Sequence, residues 1–253
     1  MERIKSIRII IMVAFLLLLQ FSTASICFSQ AVTDPDISQF LTFVTLSQAN
    51  LKTLQATIDD SLTYNTTTTA KTWNYSYTLD LANMRVREDF QISSSVSKSL
   101  LLDDTGVSTR FMDNAWKSQA STETDKENFK DIVSEEFNHY SDIQNDFTIQ
   151  RNPSADATVA NTKAFDLIPE SSTLLFSKKT IWVDMTTGLT MASIAYDADS
   201  KVTVKRMIVA HAKVNGLDLP TDVKTENLVK GFTQETKMSN ITINNDVSAK
   251  FQK

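Results

Sequence analysis

The spacing of apolar and polar positions changes several times along this chain. Ile9–Leu19 is an unbroken apolar run. Ile37, Phe40, Leu41, Val44, Leu51, Leu54 and Ile58 then fall on one helical stripe, with Gln, Asn, Lys and Thr opposite. Asp34-Pro35-Asp36 supplies cap-type residues at its start, so the pattern predicts an amphipathic helix over Ile37–Ile58. Ser61–Ala70 is polar and threonine-rich and reads as a loop. Over Thr72–Asn83 the period becomes two: Trp73, Tyr75, Tyr77, Leu79 and Leu81 alternate with polar residues, as in a half-buried strand. Met84–Ile92 continues as a more charged strand. Ser99–Asp103 and Val107–Asp113 flank Asp103-Asp104-Thr105-Gly106, which reads as a hairpin turn.

Helical period returns over Thr122–Phe147, where Phe129, Ile132, Val133, Phe137, Tyr140 and Ile143 form a stripe. The polar stretch Arg151–Ala157 separates it from a run of strands. These are Lys163–Ile168, Lys178–Met185, Leu189–Tyr196, Lys201–Lys213 and Lys230–Asn244, with turn signals at Thr186-Thr187-Gly188, Asp197–Ser200 and Asn215-Gly216. Asp246–Phe251 reads as a short terminal helix. The order predicts an α+β fold: a large antiparallel sheet with helices gathered on one face.

The apolar run near the start has a second meaning. Arg3, Lys5 and Arg8 precede it, and Ser29-Gln30-Ala31 offers small residues for cleavage, with Cys27-Phe28-Ser29 as a second option. This is the order of a secretory signal peptide over residues 1–31, which leaves 32–253 as a single domain. Ile9–Leu19 is too short for a bilayer core, which needs about 20 apolar residues. Lipidation at Cys27 is the rival reading, and Ile26 fits poorly before a lipidated cysteine. Cys27 is the only cysteine, so cleavage after Ala31 leaves a chain with no disulfide.

Charge narrows the partners. Three basic residues and one acid leave with the leader, so 22 Lys and Arg then face 29 Asp and Glu, a net charge of −7. A nucleic-acid partner needs a positive face and is not expected. Catalytic chemistry is thinly supplied. His139 and His211 have no partner at metal-ligand spacing, and no G-x-S-x-G, P-loop, dinucleotide fingerprint or C-x-x-C occurs. The acidic pairs Asp59-Asp60, Asp103-Asp104 and Glu135-Glu136 read as turns or caps. No catalytic residue, metal ligand or cofactor is therefore expected. The N-x-[ST] triplets at Asn65, Asn74 and Asn240 matter only in a host that glycosylates exported chains. The aromatic alternation has two readings, plain sheet core or the wall of an apolar pocket.

Two stretches carry a family resemblance. Ser99–Gly106 with Arg110-Phe111-Met112 is similar to a strand, an Asp-Gly turn and an aromatic strand. Ala164–Pro169, Ile181–Asp184, Thr187-Gly188-Leu189 and Tyr196-Asp197 are similar to a hairpin series. Both resemble the bacterial outer-membrane lipoprotein-sorting, or Lol-type lipoprotein carrier, superfamily. Ile241–Asn244 with Val247 and Phe251 is similar to its sorting-protein branch.

The resemblance implies an incomplete β-barrel lidded by helices, whose hydrophobic cavity accepts acyl chains of a lipoprotein or lipid. The lining it implies is Phe40, Trp73, Tyr75, Tyr77, Leu79, Leu81, Phe111, Phe129, Ile181 and Val183. Arg85 and Arg87 are the nearest matches to the basic residue that holds the lid in such carriers. It implies a periplasmic, non-enzymatic carrier working toward the outer membrane, between an inner-membrane donor and an outer-membrane acceptor. The alternative it leaves open is an envelope sensor or scaffold that binds protein through the same fold.

Overall fold

The computed structural model describes residues 34–103, 106–112, 114–120, 137, 140, 142–172 and 174–252. Phe129, His139, most of Thr122–Phe147 and the whole leader lie outside them. The residues from Asp36 onward form one compact unit.

Helix α1 spans Pro35–Asn50. Thirteen strands follow: β1 (Thr53–Tyr64), β2 (Lys71–Asp80), β3 (Arg85–Ser93), β4 (Val96–Asp103), β5 (Gly106–Phe111), β6 (Lys117–Gln119), β7 (Phe147–Arg151), β8 (Thr162–Pro169), β9 (Lys178–Asp184), β10 (Thr190–Tyr196), β11 (Val202–Val214), β12 (Leu217–Asn227) and β13 (Phe232–Ile243). They make one antiparallel sheet in the order β6-β5-β4-β3-β2-β1-β13-β12-β11-β10-β9-β8-β7. Every pair is adjacent in sequence except β1 with β13, so two meanders are joined back to back. The sheet is not closed. Among the described residues its edge strands are β6 and β7, which flank the stretch between Gln119 and Phe147.

The predicted first helix is cut short. It stops at Asn50, and Leu54 and Ile58 belong to β1, where they share a buried face with Ala56 and alternate with the half-buried Gln55 and Thr57. The stop is made from far away: the Asn244 side chain accepts from the Lys52 amide at 2.8 Å and donates to the Asn50 carbonyl at 2.7 Å. These bonds satisfy backbone groups that the helix end leaves orphaned. Strand β12 is an addition to the predicted set. Its Pro220 faces His211 at an irregularity in the β11 ladder, which is where a strand tolerates proline.

The two faces of the sheet are covered differently. The inner face carries α1: Phe40 stacks on Phe165 at 5.1 Å between ring centres, and Val44 joins Ile181, Val183 and Tyr140 in the same cluster. A second cluster gathers Leu51, Leu54, Ile58, Tyr75, Leu79, Leu81 and Phe137. On the outer face, a C-terminal turn (Ser248–Phe251) packs Val247 and Phe251 on Leu101. Another turn, Pro153–Thr158, accepts the Trp182 indole N–H at the Ala155 carbonyl.

Candidate functional site

Register fixes which residues share the inner face. Asp60 pairs with Trp73, Ile58 with Tyr75 and Ala56 with Tyr77 across β1 and β2. Tyr75 pairs with Phe90 and Tyr77 with Glu88, and Phe90 in turn pairs with Lys98. Lys98 pairs with Phe111. Directly opposed residues of an antiparallel ladder lie on one face, so Trp73, Tyr75, Tyr77, Phe90 and Phe111 form one aromatic surface with Leu100 and Leu102.

That surface is closed at one end and open at the other. At the α1 end, Phe40, Leu79, Leu81, Ile181 and Val183 are fully buried. Toward the opposite strand ends, Trp73 is 42% exposed and Phe111 50% exposed, with Tyr64 beside them also open to solvent. A large aromatic ring left uncovered on an otherwise packed face marks a place for an apolar partner.

Three charged side chains lie on the same aromatic rows. Asp60 accepts hydrogen bonds from the Tyr75 hydroxyl (2.9 Å), the Gln234 amide (3.0 Å) and Thr236. Glu88, between Tyr77 and Leu100, is largely withdrawn from water. Burial, reinforced by the negative charge of Asp60 and opposed by Lys98, pushes its carboxyl up to about 7.

The helix that closes the other end is held by polar contacts. Arg151 on edge strand β7 donates to Asp36 at 2.8 Å and to both carboxylate oxygens of Asp156, and its guanidinium lies over the Phe165 ring. The hydrogen bond from Arg151 holds the Asp156 carboxyl below the usual carboxylate range, against the effect of burial. Gln39 donates to the Met185 carbonyl, and Ser47 to the Phe137 carbonyl. Gly188 (φ +79°) brings the β9–β10 turn against Phe43.

Three solved structures share this arrangement. A LolA superfamily protein from Nitrosomonas europaea superposes with a TM-score of 0.61 at 10% identity, over 87% of this chain and 99% of that one. The architecture is LolA-like. A DUF1329 family protein from Desulfovibrio piger gives 0.55 at 13% identity, over 87% and 98% of the two chains. A domain assigned to outer membrane lipoprotein sorting, from Vibrio parahaemolyticus, gives 0.52 at 12% identity, over 83% and 92%. No family model and no curated protein sequence matches the chain. At such identities the likeness establishes the fold alone: an open antiparallel sheet with helical cover.

Within this LolA-like sheet the predicted lining residues separate by depth. Tyr75, Leu79 and Leu81 enter one core cluster, with Tyr77 packed against it, and Phe40, Ile181 and Val183 enter the other. Trp73 and Phe111 stay at the open end. The predicted lid-holding arginines face the other way. Arg85 bonds Asp80 and lies 4.4 Å over the Phe251 ring. Arg87 pairs with Asp89 and donates to the Lys250 carbonyl. Alternation puts both on the outer face, because their neighbour Val86 pairs with Leu79 inside. Among the described residues it is Arg151 that reaches α1. The burial of Asp80 works against its charge, but hydrogen bonds from Arg85 and Asn83 outweigh it and hold the carboxyl low.

The sequence reading took Asp59-Asp60 for a turn or cap, whereas Asp60 lies inside strand β1, and it left Glu88 as one charge of a charged strand. Their signal was present: each interrupts an apolar period-two row, Leu54-Ala56-Ile58-Asp60 and Val86-Glu88-Phe90. A shallow groove of about 310 Å³ at the β13-β1-β2 strands is lined by Asp59, Asp60, Ser61, Thr72, Trp73, Asn74, Glu235 and Lys237. Among the described residues no group of His, Cys, Asp and Glu is arranged to hold a metal ion.

Proposed function

We propose that this chain is an exported, non-enzymatic carrier that binds acyl chains of a lipoprotein or lipid on the inner face of its sheet. The observation that carries this reading is the aromatic surface from Trp73 to Phe111, interrupted by Asp60, Glu88 and Lys98 and uncovered at one end. Each methylene that leaves water for such a surface gains about 0.8 kcal/mol. No covalent step is needed, since release requires only a better acceptor.

The deeper lining residues enter the proposal through α1. Phe40 fills the space in front of Phe165, so a chain longer than the open end must displace the helix. The signal-like leader and the LolA-like fold together favour a periplasmic shuttle. An inner-membrane donor and an outer-membrane acceptor would be its exchange partners.

A second reading rests on the packed α1 end. An inner face already filled by Phe40, Tyr140 and Phe137 suits an envelope sensor or scaffold that binds protein. Organic extraction of the purified exported protein, followed by mass spectrometry, separates the two. Co-purified lipid and binding of a fluorescent fatty acid support the carrier. A lipid-free protein that ignores the probe overturns it.

A further inference from the structure

The exposed large apolar side chains are not scattered over the sheet. Register places most of them at the same ends of the strands, away from α1. Tyr64 ends β1 opposite Phe232, which starts β13. Leu228 and Val229 form the β12–β13 turn just beyond, and Val229 is 75% exposed. Ile92, 59% exposed, lies at the β3–β4 turn. Phe111 and Met112 end β5. These are separate hairpin tips, each carrying one or two apolar side chains among Ser, Thr and Asn.

We infer that these tips form a membrane-docking rim, which places the open end of the inner face against a lipid bilayer. The inference rests on the acyl-chain reading and adds the surface from which the chain is collected or to which it is given. Two arguments choose a bilayer as the occupant. A protein partner wants a contiguous, close-packed apolar patch. Single side chains on separate turns lack that continuity, but each can enter the interfacial layer independently, where aromatic and aliphatic side chains gather. Charge agrees with this. The protein as a whole is acidic, yet the sequence of these tips carries Lys71, Lys117 and Lys230 against the single acid Asp113. Lys71 lies 5.7 Å over the Tyr64 ring, a position from which its ammonium can reach lipid phosphates.

The test is co-sedimentation with vesicles of three parts phosphatidylethanolamine to one part phosphatidylglycerol. It uses residues 32–253, which contain the whole sheet and α1 and exclude the apolar leader. The protein should sediment with vesicles, and Ile92→Asp with Val229→Asp should weaken partitioning at least tenfold. Met207→Asp with Val209→Asp, at positions also exposed but on β11 away from the tips, should leave it unchanged. An unchanged melting temperature shows that the rim variant is folded. Failure of the wild type to sediment overturns the inference. So does equal loss in the β11 variant, or no loss in the rim variant. A fluorescent fatty acid below its aggregation concentration reads the acyl site separately. The rim variant should still bind it, whereas loss of probe binding by the wild type overturns the carrier reading and leaves the vesicle result standing.

Discussion

Arg151 and Asp36 are 2.8 Å apart, joining an edge strand of the open sheet to the first turn of α1. The arginine is deeply placed, with only 9% of its side chain exposed, and it also engages Asp156 and the Ala164 carbonyl. A guanidinium suits this position because its planar fork serves several acceptors at once. Arg151→Ala strands two carboxylates and should cost about 2–3 kcal/mol in urea denaturation. Arg151→Lys should recover less than half of that, because a single ammonium cannot span both acids. A loss below about 0.5 kcal/mol for the alanine variant would show that α1 is held by its apolar contacts alone.

Gly188 gives a second handle on the same helix. Its φ of +79° disfavours any Cβ, and a Cβ there would sit 2.7 Å from the Phe43 ring. Gly188→Ala should therefore destabilise by roughly 2–4 kcal/mol, the sum of backbone strain and the clash. Adding Phe43→Ala should relieve only part of the clash, because the Cβ that alanine keeps also lies 2.8 Å from the added carbon. A double-mutant cycle in thermal unfolding reads the coupling, and strict additivity would mean that α1 does not press on this turn.

Glu88 makes stability depend on pH near neutrality. Its carboxyl is pushed up to about 7 from an ordinary 4.5, chiefly by burial and then by Asp60. The native state therefore binds a proton that the unfolded state has released between those values. Stability falls as pH rises through that window, and the full cost is present above pH 7. Partial access to water keeps the cost to about 1–2 kcal/mol. Glu88→Gln should be more stable than wild type at pH 8, with the advantage vanishing near pH 4.5. Parallel denaturation curves for the two proteins across that range would refute the assignment of the carboxyl to this apolar row.

The sheet could be read from period-two alternation because both faces impose it: Trp73-Tyr75-Tyr77-Leu79 looks inward, and the residues between look out. The turns at Gly188 and Gly216 were equally legible, since their positive φ values demand such residues. What escaped was decided by distant partners. The end of α1 depends on Asn244, which no local pattern near Asn50 announces. Leu54 and Ile58 fit a helical stripe as well as a strand, and only their pairing with Leu79 and Tyr75 decides between them. Arg151 lay in a stretch read as polar linker, so its contact with Asp36 could not be anticipated. Arg85 and Arg87 were near the first strands in sequence, but strand parity turned them away from the helix.

The division of the inner face by depth separates ligand effects from folding effects. Ile181 and Val183 are wholly buried behind α1, so Ile181→Ala should cost about 2–4 kcal/mol of stability. Its effect on the affinity of a fluorescent fatty acid should be small once the protein is folded. Trp73 and Phe111 have little packing to lose. Trp73→Ala should change stability by less than about 1 kcal/mol, yet weaken the probe about tenfold, equivalent to about 1.4 kcal/mol of binding. Met207→Ala on the outer face should change neither quantity. If Trp73→Ala and Phe111→Ala both leave probe affinity intact while Ile181→Ala abolishes it in the folded protein, the acyl chain enters behind α1. The open aromatic end would then be reserved for a different partner.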